Sequence, residues 1–264
     1  MNKILFIILF LLLLLIGKKR GFKTFISFIL CMFLIVVYII LMRFGFNAII
    51  TAFIICIIAS FISLFFLNGF STKTLAAFVG VIIVQHITFI LIYIMTTRGN
   101  IGVFAEESLD TIAGYNYGIG YSMSNVIIGM YLVSIVGTVI DTSISVSSSM
   151  NEVLENNPRI TKKELYKSGM NIGGDILSTT INTLFFALIS VFIGFFMWHR
   201  GMNFGEIVNY KLFAEDLMRL LIAFIGSVLI IPVTSYISSR MLISKKSKSF
   251  VENVKKKIAS AFEE

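Results

Sequence analysis

The stretch TFISFILCMFLIVVYIILM, Thr24–Met42, carries no charged side chain. As an α-helix rising 1.5 Å per residue it spans about 28 Å, close to the thickness of a bilayer's hydrocarbon core. A helix that is apolar all round has no water-facing side, so it is buried in protein or in lipid. Six further apolar runs flank it: Ile4–Ile16, Phe46–Leu67, Leu75–Met95, Tyr121–Met150, Ile176–Trp198 and Leu217–Ile243. All but the first reach the roughly 20 residues that a membrane-spanning helix needs. The 264-residue chain is 57% hydrophobic and 14% charged, with a mean hydropathy of +0.94. Globular chains are about one-quarter charged, so a water-soluble fold is excluded. The predicted class is an all-α polytopic membrane protein of about seven transmembrane helices, with membrane lipids as its solvent.

The net charge of +8 does not point to nucleic acid, because the basic residues lie in short clusters between the apolar runs. With the N-terminus outside, sixteen of the 22 Lys and Arg fall on the cytoplasmic side. They group at Lys18–Lys23, Lys73, Arg159–Lys167 and Arg240–Lys257. The positive-inside rule then predicts N-out, C-in. The first run is followed by Lys18, Lys19 and Arg20 and has no small-residue cleavage site, so it reads as a short retained span rather than a cleaved signal. The expected organisation is an anchor and basic loop over 1–23, a transmembrane domain over 24–243 and a basic tail over 244–264. Cys31 and Cys56 sit inside apolar runs as packing residues, and no metal or cofactor motif accompanies His86 or His199.

Three connections carry further expectations. Phe104, Leu109 and Ile112 among acids suggest a short interfacial helix within Thr96–Gly120. Thr161-Lys-Lys-Glu164 is a capping-box pattern that starts a helix running toward Gly173-Gly174. Phe250, Val251, Val254, Ile258 and Phe262 recur at helical spacing among lysines, reading either as an amphipathic helix on the inner leaflet or as a solvated tail.

The sites are sought where polarity enters the membrane. Ser134, Thr138, Asp141, Ser145, Ser148 and Glu152 step by three and four and share one helical face. Asp141 lies about nine residues, or roughly 13 Å, from the cytoplasmic end of its span. A carboxylate there must be protonated, paired or hydrated, which favours a polar path over hydroxyls that merely bond their own backbone. In the next span Asp175, Thr179, Asn182 and Thr183 also share a face. Asp175 reads equally as a helix N-cap or interfacial acid. Gln85-His86 sits roughly 16 Å deep, and this apparent match in depth makes a His86–Asp141 pair an expectation to test.

Gly137-Thr-Val-Ile-Asp141-Thr-Ser-Ile-Ser-Val-Ser-Ser-Ser-Met-Asn151-Glu152, followed by Asn157-Pro158, resembles the YibE/F family of bacterial membrane proteins. Gly173-Gly-Asp175-Ile-Leu-Ser-Thr-Thr-Ile-Asn182-Thr183-Leu and Leu67-Asn-Gly-Phe-Ser-Thr-Lys-Thr-Leu75 continue the likeness, over roughly residues 20–243. The resemblance implies a fold and a bacterial cytoplasmic membrane, but no defined biochemical activity. Gly120–Asn125, Gly137–Asp141 and Asn151-Glu152 are also similar, more distantly, to the fourth helix of RND-type permeases and SecD/SecF. That likeness implies a six-helix half with an extra N-terminal span, a proton-relay role for Asp141, and a second transmembrane half as a homodimer or related subunit. The chain departs from it in having one acid at that spot and no large extracytoplasmic domain.

Three functions compete. The first is a non-enzymatic transport component, proton-coupled through Asp141, with the hydroxyl and amide faces carrying protons or polar cargo. The second is a scaffold that docks partners through the basic tail and the 151–174 segment. An intramembrane aspartyl hydrolase is the third; Ile172-Gly-Gly-Asp175 and Ile140-Asp141 do not fit its expected motifs. The absence of phosphate-loop and dinucleotide fingerprints leaves no cofactor expected.

Overall fold

The computed structural model describes residues 2–98, 123–198 and 201–261, and the elements found there are helical. In chain order they are α1 (Asn2–Arg43), α2 (Ala48–Phe61, continued by a π-helical turn Ile62–Phe66) and α3 (Thr72–Arg98). They continue as α4 (Met123–Asn156), α5 (Lys162–Trp198), α6 (Phe204–Asn209), α7 (Lys211–Met241) and α8 (Lys245–Ala261). Six of them, α1 with α2 to α5 (α2 taken with its π turn) and α7, are long and apolar enough to cross a membrane. The interfacial helix expected around Phe104, Leu109 and Ile112 lies outside the described residues.

The first of these six is two helices. Lys18 has φ 47° and ψ −126°, the only positive-φ non-glycine residue among those described. In a straight helix Phe6 and Phe25 would stand about 28 Å apart. Their ring centroids are 5.4 Å apart, and those of Phe10 and Phe25 are 4.6 Å apart. The chain therefore reverses at Lys18-Lys19-Arg20. Arg20 reaches Asn68 in the α2–α3 connection at 3.5 Å, setting that turn at one end of the bundle.

The centre of the molecule is a three-helix unit of α3, α4 and α7. Val81, Val84, Ile135, Val139, Ile222 and Ile230 are buried between them. Close approach is set by small residues: a Cβ on Gly80 of α3 would come within 2.7 Å of the Thr234 hydroxyl of α7. Lipid is as apolar as a leucine core, so small residues and hydroxyls bring membrane helices together where hydrophobicity cannot. α2 packs on the N-terminal part of α4, α5 packs on α7 and the C-terminal part of α4, and α1 packs on α2.

The capping box forms as expected. The Thr161 backbone N–H donates to the Glu164 carboxylate at 2.9 Å, and the Glu164 N–H donates to the Thr161 hydroxyl at 3.3 Å. These bonds hold the Glu164 carboxyl, on the segment preceding the span, below its ordinary pKa. The helix does not stop at Gly173-Gly174, however. It continues as one element into the membrane, because Gly173 is the point at which α5 rests on Ile231 of α7. Asp175 is accordingly in a helix interior, not at an N-cap. The tail forms α8, with Val251 buried and Phe250 exposed.

Candidate functional site

The hydrogen bonds of the three-helix unit fix which residues of neighbouring helices share a level. The Ser143 hydroxyl of α4 donates to the Ala77 carbonyl of α3 at 3.0 Å and lies 2.9 Å from the Thr234 hydroxyl of α7. One turn toward the basic end, the Ser147 hydroxyl donates to the Lys73 carbonyl at 2.8 Å. The Ser238 hydroxyl in turn donates to Ser147 at 3.1 Å. These side chains are buried, so the polar interior of the bundle is built from Thr142, Ser143 and Ser147, not from the stripe that carries Asp141.

That stripe points the other way. Ser134, Asp141 and Glu152 are exposed, and Thr138, Ser145 and Ser148 are half-buried at its edges. The six positions do share a face, as their spacing requires, but it is the face turned away from α3 and α7. On α5 the same holds: Asp175, Thr179, Asn182 and Thr183 are exposed, while Gly169 and Gly173 face the bundle. The hydroxyls of Thr179 and Thr183 bond their own helix, at 2.8 Å to Ile176 and 2.9 Å to Thr179 respectively.

Contacts between the helices fix the relative depth of their polar residues. Ala77 is level with Ser143, and His86 lies nine residues beyond Ala77, whereas Asp141 lies two residues beyond Ser143 in the same direction. The two side chains are thus about 10 Å apart in level, and the His86–Asp141 pair is not formed. His86 is exposed instead, with Nδ1 2.7 Å from the Ile82 carbonyl and its ring edge-on to Phe53 at 4.7 Å. Counting spans by their apolar ends gave the wrong level because α3 and α4 both extend past the apolar core. Met150 packs at the level of Gly169. Asp141 is therefore about 4–5 Å deeper than Asp175, and the two acids do not share a level.

One polar site escaped the sequence reading, and Gln85, named there only beside His86, forms a second. Near the N-terminal end of α7, Arg219 pairs with Asp216 at 3.0 Å and lies 5.7 Å from the ring centroid of Tyr131. The Tyr131 hydroxyl donates to the Glu215 backbone carbonyl at 3.3 Å. Midway along α3, Gln85 is buried at 5% exposure, and neither its Nε2 nor its Oε1 has a hydrogen-bond partner among the described residues. The cluster Thr234-Ser-Tyr-Ile-Ser-Ser239 was the readable signal for the interior face of α7, since small hydroxyl residues mark helix interfaces in lipid.

Among the described residues no group of three or more His, Cys, Asp or Glu side chains is placed to hold a metal ion. Both cysteines are free thiols, Cys56 buried and Cys31 half-buried.

Apolar helices of spanning length around a small-residue, hydroxyl-bonded core define a polytopic all-α membrane protein. The chain belongs to the YibE/F-like protein family, whose profile matches residues 5–244. No curated protein and no solved structure matches it.

Proposed function

We propose that this chain is a non-enzymatic component of a membrane transport system, proton-coupled through Asp141 and working beside a second transmembrane half. One observation carries the reading: Asp141 is exposed on the face of α4 turned away from its own bundle, about 22 Å of helix before the α4 end at Asn156. Hydrocarbon cannot solvate a carboxylate, and an unpaired one at the centre of a helix costs roughly 2.5–3.5 kcal/mol. That face therefore meets protein or water in the working state, and the exposed Asp175, Thr179 and Asn182 of α5 extend the same demand. Protonated Asp141 fits a lipid or protein contact and ionised Asp141 fits a hydrated one, which is the alternation that a proton-coupled element requires. The RND-like arrangement of two halves is part of this proposal. So are the bacterial cytoplasmic membrane and the N-out, C-in orientation, supported by the grouping of Lys18–Lys23, Lys73 and Arg240–Lys246 around one end of the bundle.

Proton flux into proteoliposomes under an imposed potential tests the reading. Wild type is expected to conduct, with Asp141→Asn and Asp141→Ala both losing flux; variants that match wild type would end the assignment to Asp141.

A further inference from the structure

Beyond α7 the chain forms a helix whose two sides are unlike. α8 carries six lysines against one glutamate in 17 residues, yet Phe250, Val251 and Val254 fall within about 100° of its circumference. Lys246 lies one turn before Phe250 at the edge of that apolar side, and Lys245 lies opposite it. Both lysines are exposed.

Position and charge together select what meets this helix. Residues 242–244 join α7 to α8 and reach at most about 13 Å, so α8 starts beside the end of a spanning helix. Leu242 and Val251 are buried and α8 touches α3, so the helix turns against the bundle instead of running on from α7. Val251 is 5% exposed, whereas Phe250, 100° around the helix, is 56% exposed; Val254, half-buried, lies between them. The same end of the bundle carries Lys73 and Arg240, and the Arg240 guanidinium stacks 4.3 Å from the Tyr236 ring centroid. Lys73, Arg240, Lys245 and Lys246 pair with no acid among the described residues. An acidic protein or a nucleic acid would meet these cations and leave the Phe250 ring in water. A leaflet containing anionic phospholipid meets both, with acyl chain at the ring and phosphate at the lysines.

We propose that α8 is a membrane-surface helix that recognises anionic phospholipid in the leaflet at the basic end of the bundle. Phe250 enters the boundary between headgroups and acyl chains, and Lys245 and Lys246 take headgroup phosphates. Val251 keeps the helix on the protein, so α8 has protein on one side and lipid on the next. This recognition is independent of the proton coupling assigned to Asp141.

Fluorescence of the full chain in lipid nanodiscs tests this. In a Trp198→Phe background, Phe250→Trp puts the only indole at the lipid contact, and Ser249→Trp puts it on the polar side of α8. In discs containing phosphatidylglycerol, brominated acyl chains are expected to quench the first and aqueous acrylamide the second. In phosphatidylcholine discs, lipid quenching at position 250 is expected to fall several-fold. Lys245→Gln with Lys246→Gln should produce the same fall in phosphatidylglycerol. Equal lipid quenching in the two kinds of disc overturns the anionic recognition. Acrylamide quenching at position 250 in both means a solvated tail, and quenching by neither agent means a protein cover; each overturns the proposal. A nitroxide attached through Phe250→Cys, in a background lacking Cys31 and Cys56, reads the same contact if Trp198→Phe does not fold. Relaxation by oxygen in the acyl region is then expected, and relaxation by an aqueous nickel complex overturns the proposal.

Discussion

Gly173 and Gly174 are adjacent in sequence and opposite in surroundings. A Cβ on Gly173 would run into the Ile231 side chain, whereas one on Gly174 meets nothing within 4 Å. Gly173→Ala should therefore separate α5 from α7 and destabilise the protein by about 1–3 kcal/mol, the ordinary cost of overpacking. Gly174→Ala should stabilise it by about 0.4–1 kcal/mol through the loss of backbone freedom in the unfolded chain. Thermal unfolding of the two variants in detergent should give shifts of opposite sign; a common sign would contradict the placement of Ile231. The sequence shows a Gly-Gly pair but not which member is the contact. The same limit applies to Asp141. Periodicity shows that it shares a face with Ser134 and Glu152, but lipid and protein interior are equally apolar, so no hydrophobic side tells which way the face turns. Ser143 and Ser147 were hidden for a related reason: one serine among many in Ser143–Ser149 gives no sign of accepting or donating across helices until a neighbour is placed.

At the scale of elements, capping and charge chemistry were the most legible signals. Thr161 and Glu164 begin α5 because two otherwise orphaned donors find partners within the same turn, a purely local arrangement. The reversal at Lys18 was legible for a different reason: three consecutive basic residues cannot stay in hydrocarbon, so an apolar run that meets them must turn or leave. The capping box of α6, Asn203 with Glu206, was equally local, with bonds of 2.9 and 2.8 Å, yet its helix is too short for periodicity to reveal. The hairpin within α1 makes a sharp prediction. In a background lacking Cys31 and Cys56, the double variant Phe10→Cys, Phe25→Cys should form an intramolecular disulfide in membranes under mild oxidation. A continuous helix would hold those positions about 22 Å apart and give no cross-link. Mobility on a non-reducing gel after cleavage between the two positions decides between them.

For the molecule as a whole, seven apolar runs sufficed to define the class, because satisfying backbone groups in lipid leaves helices as the economical solution for such runs. What they could not supply was relative level, which depends on a handful of contacts such as Ser143 with Ala77, and on where helices overrun the bilayer. Level is also what separates Asp141 from His86 and leaves two polar faces, one on α4 and one on α5, turned outward at membrane depth. If a second half covers those faces, leaving it exposes each carboxylate at a cost of roughly 2.5–3.5 kcal/mol, so Asp141→Leu should weaken association by about 100-fold. A photo-cross-linker attached through Ser178→Cys on the outward face of α5 should then yield a larger species in native membranes, lost with Asp141→Leu. One attached through Ile39→Cys, on an apolar exposed position of α1, should yield lipid adducts alone. A product of twice 29.6 kDa would identify a second copy of this chain, and any other mass a related subunit. Equal, lipid-only products from both positions would show that the α4–α5 face has no protein partner, leaving water as the only solvent able to receive Asp141.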